Sequence, residues 1–226
     1  MPRVSHKTNK DILMNKTMYE TIKDRILFLE YAPGFILNEG TLCKEFNVSR
    51  TPLREVLNQL KNENLIRIFP RMGTMVTELE FQQLMNALQV RGEIEGLLGR
   101  LAAEEMTEQH LAELRKIQKA CANLEKNKNK KKLVQLDTQF RKVLYSASKN
   151  TVLNNIAQSL YELTLRLWVV TMDKGIWEEE VRFISREMEA LIEALARKDA
   201  MKSAKLKKEF LSFHYDRISK KFMGQT

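Results

Sequence analysis

Proline and glycine are scarce in this chain, four and eight among 226 residues. With so few chain-breakers, loops able to carry a catalytic apparatus have little room. The hydrophobic positions recur mainly at helical spacing, so a mainly α protein is expected. Cysteine is scarcer still: Cys43 and Cys121 are isolated and each falls in a helical pattern. That excludes a disulfide framework, and both read as small core residues. No apolar run approaches the ~20 residues of a membrane-spanning helix, and MPRVSHKTNKD lacks the apolar core of a secretory leader. A cytoplasmic protein with no membrane partner is expected. Also missing are a nucleophile with a histidine beside it and a glycine-rich phosphate loop. Asp137 as a lone candidate base does not make an enzyme, so none is expected.

What is abundant is positive charge. A formal charge of +9 with a sequence pI near 9.5 calls for an anionic partner, because clustered Lys and Arg release counterions on meeting phosphates. The length suits two compact domains, and a boundary falls near residue 78. Residues 1–14 are polar and read as a flexible basic tail. A first helix is expected from Thr17, which forms a capping box with Glu20, and it buries Met18, Ile22, Ile26 and Leu29 until Pro33-Gly34 stops it. Asn38 can cap a short second helix carrying Leu42 and Phe46 on one face, and Asn47 suits the sharp turn that follows. Ser49 is a good N-cap for a third helix with Pro52 in its first turn. Leu53, Val56, Leu57 and Leu60 make its apolar face, opposite Arg50, Arg54, Asn58 and Lys61. Residues 65–69 and 74–77 read as strands joined by Pro70-Arg71-Met72-Gly73, a hairpin with a basic tip. Residues 15–78 therefore read as a winged helix-turn-helix. Residues 79–226 carry no strand signal and read as six or seven helices in an antiparallel bundle. Within them Lys126–Lys132 is polar throughout and reads as a solvated loop, with a secondary phosphate contact as the alternative.

Residues 47–57 have the chemistry of a DNA-reading helix. Ser49 and Thr51 place hydroxyls at a helix N-terminus, where backbone N–H groups favour a phosphate. Arg50 and Arg54 lie one turn apart and can grip guanine O6 and N7 in a major groove. The alternative, a merely solvated charged face, loses ground because a capped helix after a tight turn with a basic hairpin behind it is a narrow pattern. Candidate DNA contacts are Ser49, Arg50, Thr51, Pro52, Arg54, Arg71 and Gly73. Leu37-Asn-Glu39 through Val48-Ser-Arg-Thr-Pro-Leu-Arg-Glu-Val-Leu57, with Pro70-Arg-Met-Gly73-Thr-Met-Val76, resembles the DNA-binding domain of GntR-type regulators. The resemblance implies that Arg50, Thr51 and Arg54 contact an operator, with Ser49 and the wing around Gly73 assisting. Gly40 departs from it, standing where many relatives carry a long polar or basic side chain.

The segments Val90–Glu95, Leu101–Glu104, Leu136–Leu144, Ala147–Asn150, and Arg186–Leu195 with Asp199-Ala200 are similar to the helical ligand-binding domain, called FCD, of the FadR-like branch of that family. The resemblance implies a divalent metal held by an Asp and three histidines, which helps to bind a small carboxylate. Here the Asp stands as Asp137, but the three histidine positions read Arg141, Met188 and Phe210, and His6, His110 and His214 do not match them. No metal and no cofactor is therefore expected. The candidate effector pocket is Arg91, Asp137, Arg141, Met188 and Phe210, with Arg141, alone or together with Arg91, gripping an anion directly where relatives use the ion. The plainer alternatives are an i, i+4 ion pair between Asp137 and Arg141 and apolar stripes through Met188 and Phe210 that are simply core. Gly92, Gly96 and Gly99 share one helix and point to a close helix neighbour, in this subunit or another. Taken together, a homodimeric regulator, in the first instance a repressor, is expected on a palindromic operator and under the control of a small, anionic effector. The rival expectation is a constitutive DNA-binding dimer that has lost effector sensing.

Overall fold

The computed structural model describes residues 9–70 and 73–222, and the chain divides into two compact units, Met1–Glu80 and Phe81–Thr226. The first unit opens with α1 (Asn9–Leu27), which starts eight residues before the expected Thr17. Thr17 is interior to that helix: its hydroxyl donates to the Leu13 carbonyl at 3.0 Å instead of capping, a back-bond open to any helical threonine. Residues 9–14 are thus helical and not tail, while residues 1–8 lie outside the described residues. Met18, Ile22 and Ile26 are fully buried as expected. Leu29 leaves the stripe because it takes a left-handed backbone (φ 64°) that ends α1 ahead of Pro33-Gly34, and the Tyr31 N–H closes onto the Arg25 carbonyl at 2.9 Å.

A strand the sequence did not reveal follows, β1 (Ile36–Leu37). Two residues are too short to show alternation. Asn38 then caps α2 (Glu39–Phe46) through Oδ1, which accepts the Thr41 N–H at 2.9 Å, and Asn47 makes the left-handed turn (φ 52°) into α3 (Arg50–Asn62). The strands β2 (Ile66–Phe69) and β3 (Gly73–Val76) come within a residue of their expected limits. The antiparallel sheet has the order β1-β3-β2, with Leu37 opposite Thr74 and Ile68 opposite Thr74 from the other side. Leu53, Val56, Leu57 and Leu60 of α3 are buried, at about 1.5–3 kcal/mol each, so the opposite face of the helix is fixed outward. Polar ties complete the unit: Tyr19 Oη donates to Glu63 at 2.6 Å, Lys23 Nζ to the same carboxylate at 2.9 Å, and Arg25 Nη1 to Glu45 at 3.0 Å.

The second unit consists, among the described residues, of α4 (Phe81–Glu104), α5 (Glu108–Ala122), α6 (Lys130–Ser148), α7 (Thr151–Met172), α8 (Trp177–Ala196) and α9 (Ala200–Phe222). α4 is its spine, packing on α9, α7 and α6. The expected loop over 126–132 shrinks to residues 127–129. A 3-10 turn runs over Asn123–Lys126, and Asn129 caps α6 by accepting the Lys132 N–H at 2.9 Å, so the lysines begin a helix. Thr107 and Asn150 cap α5 and α7 in the same way.

The neighbour of the glycine helix is α9 of the same chain. A Cβ at Gly99 would come within 2.7 Å of the Ser203 carbonyl oxygen, whereas one at Gly92 would meet nothing within 4 Å. Gly99→Val is accordingly expected to destabilise by about 1–3 kcal/mol through backbone displacement. Gly92→Ala is expected to be neutral or to stabilise by up to about 1 kcal/mol through helix propensity. Urea unfolding of the two variants checks the contrast, and equal losses would mean that α4 and α9 do not approach this closely.

Candidate functional site

The first candidate surface is the outward side of α3 with the hairpin behind it. Ser49 sits at the N-cap in extended backbone, but its side chain makes no capping hydrogen bond. The exposed hydroxyl is thus not engaged in capping, and the first N–H groups of α3 lack a side-chain partner from it, which leaves that helix end suited to an anion. Arg50, Thr51 and Arg54 are exposed, Pro52 is half-buried in the first turn, and Gly73 opens β3 at φ 112°, a backbone that disfavours side chains. Arg71 lies outside the described residues. Sequence reasoning missed that Arg54 is not free-standing. Its Nε donates to Glu39 Oε2 at 3.2 Å, so the first residue of α2 aims the arginine. A groove lined by Glu39, Arg54, Asn58, Phe69, Pro70 and Gly73 runs between α3 and the hairpin. Gly40 is exposed on α2 and offers no side chain to this surface.

The second candidate site lies inside the helical unit. Arg91, Asp137, Arg141 and Phe210 line one cavity of about 60 Å3. Met188 does not: it packs in the core at 3 % exposure, because on α8 the cavity-facing positions are Ile184 and Glu187, one turn apart and rotated from 188. Among the wall residues that went unread in the sequence are Glu95, Lys207 and His214. Their signal was spacing alone: Glu95 is i+4 from Arg91, and Lys207 and His214 are i−3 and i+4 from Phe210.

Glu95, 1 % exposed on α4, is the centre of the cluster. Its Oε1 accepts from Arg91 Nε at 3.1 Å and from an Arg141 Nη1 hydrogen bond, and its Oε2 lies 2.8 Å from Lys207 Nζ. Arg141 Nε also donates to Asp137 Oδ2 at 3.1 Å. Both guanidinium groups lie over the Tyr161 ring, at 5.2 Å and 4.3 Å from its centre, and Arg91 Nη1 donates to the Thr164 hydroxyl at 2.8 Å. Burial alone would raise the Glu95 carboxyl, but the Arg141, Lys207 and Arg91 cations overrule it and hold the group well below the usual carboxylate range. Glu187 has no such cage. Burial pushes its carboxyl up to about 8 against the pull of the Lys207, Arg141 and Arg217 cations, and its Oε1 has no hydrogen-bond partner among the described residues. Burial likewise pushes His214 down to about 4, leaving a neutral ring packed edge-on against Trp168.

The metal implied by the resemblance does not fit this donor set. The Arg141 guanidinium occupies Asp137, Met188 faces away and Phe210 brings no donor atom, so the ring of ligands an ion requires is replaced by fixed organic cations.

A winged helix-turn-helix whose third helix presents two arginines, in one chain with an all-helical domain built round a charged cavity, defines a two-domain protein whose first domain has the fold of DNA-binding modules. The comparisons with known proteins agree on the family. The sequence pattern of the bacterial regulatory proteins of the gntR family matches residues 15–76, and that of the FCD domain matches residues 86–213, more than half of the chain. The chain belongs to the GntR family and carries an FCD domain.

Among its relatives are an HTH-type transcriptional regulator from an unstable DNA locus of Streptomyces ambofaciens, 34% identical over 105 residues (46% of this chain and 42% of that protein), and the HTH-type transcriptional repressor RspR of Escherichia coli, 31% identical over 131 residues (56% and 53%). The chain thus matches about half the length of these relatives. The fold is that of Escherichia coli McbR/YncC, with a TM-score of 0.82 at 22% identity over 92% of this chain and 98% of that one. No helix among the described residues is long and apolar enough to cross a membrane.

Proposed function

We propose that this protein is a transcription regulator that binds a palindromic operator as a homodimer and answers to a small anion held in the helical domain. The observation that carries the DNA part is α3 itself: four buried apolar residues lock it to the unit while Arg50, Thr51 and Arg54 face outward. Ser49, Pro52, Arg71 and Gly73 join them as candidate contacts to backbone or minor groove. The similarity to RspR favours repression as the sign of the response. Selection of preferred sites from random duplexes tests this part. An inverted repeat with half-sites about one helical turn apart is expected, and recovery of no preferred sequence would remove the reading.

The effector part rests on Arg91, Arg141 and Lys207 converging on one cavity, since buried arginine binds carboxylates by paired, charge-assisted hydrogen bonds. Small carboxylic acids are expected to raise the melting temperature of the wild type, and Arg141→Ala is expected to abolish that rise. No stabilisation by any acid would exclude effector control. One observation favours the rival reading, a constitutive DNA-binding dimer: Arg141 is already engaged by both Glu95 and Asp137. Operator binding measured with and without the acids separates the two, because only a sensing protein changes its affinity.

A further inference from the structure

We propose that Glu95 is the resident occupant of the effector site: its carboxylate holds Arg91, Arg141 and Lys207 in the unliganded protein, and a small monocarboxylate binds by displacing it. This rests on the effector reading above and deepens it by naming the ligand class and the contact through which the ligand acts.

Three cations from three different helices, α4, α6 and α9, meet on one carboxyl group that is 1 % exposed. Such a site is a carboxylate receptor by construction, since it already binds one, with two donors on Oε1 and an ammonium on Oε2. The occupant is tethered by only two methylenes to the backbone of α4. An incoming carboxylate can therefore present the same two oxygens to the same donors.

Charge limits the ligand to one negative unit. Arg91, Arg141 and Lys207 already face the carboxylates of Glu95 and Asp137, with the Glu187 carboxyl, which burial pushes up, on the same wall, so a ligand bearing more than one negative charge would meet unmatched repulsion. Space sets the second limit. About 60 Å3 is less than half of the ~150 Å3 cavity that admits benzene, so the free space takes an acid of no more than formate or acetate size, with the Glu95 carboxylate as the wall group that gives way. Displacement also supplies a path for the signal within the helical unit. Glu95 lies in the middle of α4, the helix that begins at Phe81, the next residue after the first unit, and its ion pairs tie the buried side of α4 to α6 and α9.

The test is calorimetric titration of the full-length protein with formate and acetate in chloride-free buffer, using the wild type, Glu95→Asp and Glu95→Gln. Glu95→Asp keeps the charge but shortens the arm, so it loosens the occupant without changing the net field. Under displacement, Glu95→Asp is expected to bind acetate at least tenfold more tightly than the wild type, and Glu95→Gln more tightly again. If Glu95 instead orients the arginines for the ligand, both variants bind more weakly, which overturns the proposal. Equal affinity of Glu95→Asp and wild type overturns it as well, since the gain in Glu95→Gln would then be a field effect alone. Nitrate and chloride serve as inorganic arms: a preference for the organic acids supports a carboxylate receptor, and tighter binding of either ion overturns that assignment. Citrate binding as tightly as acetate would overturn the single-charge limit. Failure of every anion to bind any of the three proteins would instead remove the effector reading itself.

Discussion

Replacing Arg50 and Arg54 together with alanine is expected to weaken binding to a selected duplex by thirtyfold or more while the domain stays folded. Both side chains are exposed on α3, and neither belongs to the buried face made by Leu53, Val56, Leu57 and Leu60, so truncation leaves the core intact. A bidentate arginine-guanine contact is worth about 1–3 kcal/mol of discrimination, and two of them give roughly 2–6 kcal/mol. Fluorescence anisotropy at two salt concentrations checks both the size and the origin of the effect. Loss confined to the selected site means base reading; uniform loss on all duplexes with a shallower salt slope means phosphate contact. Unchanged affinity in a folded double mutant would end the regulator assignment. Glu39 adds a finer expectation, since it holds Arg54 at 3.2 Å on the free surface. An exposed pair of this kind contributes at most about 1 kcal/mol to stability, so Glu39→Gln should leave melting unchanged and alter only DNA selectivity.

The second large effect is on stability. Glu95→Ala leaves Arg91, Arg141 and Lys207 facing one another without their shared counter-charge, and breaking a buried ion cluster from one side costs about 3–5 kcal/mol. For a unit of this size a fall in melting temperature of about 10 °C is expected, measured by calorimetry. Removing a cation at the same time relieves the repulsion. The Glu95→Ala/Arg141→Ala double variant should therefore be more stable than the sum of the single losses predicts, by about 1–3 kcal/mol. Strict additivity would show that the cluster is not a unit. The pH dependence has a definite sign. Because the folded protein holds the Glu95 carboxyl well below its ordinary value of 4.5, its stabilisation is complete above that pH and is lost as the pH falls further. The gap in stability between wild type and Glu95→Gln should narrow only below pH 4.5.

How much of this was legible in the sequence differs between the two units for a physical reason. In the DNA-binding unit the signals are local. A cap such as Asn38, a left-handed turn at Asn47, the position of Pro52 and the period of the α3 leucines each act within a few residues, so they can be read along the chain. Where that unit was misread, the deciding contact was distant or a weak local preference competed: β1 exists only because β3 pairs with it, and Thr17 back-bonds inside a helix that Asn9–Lys16 were free to extend. The lysine-rich stretch at 126–132 misled because exposed charge suits a solvated helix as well as a loop.

The amino-acid sequence by itself determined the class of protein: a winged helix-turn-helix with Arg50 and Arg54 outward, followed by helices, with Asp137 and Arg141 one turn apart. Only the tertiary structure decided what that second unit contains. Glu95, Lys207 and His214 are ordinary residues in one dimension, and Met188 looks as good a wall residue as Glu187. Packing of α4 against α6 and α9 is what brings residues 46 and 112 positions apart onto one carboxylate, in a medium dry enough for their charges to govern each other.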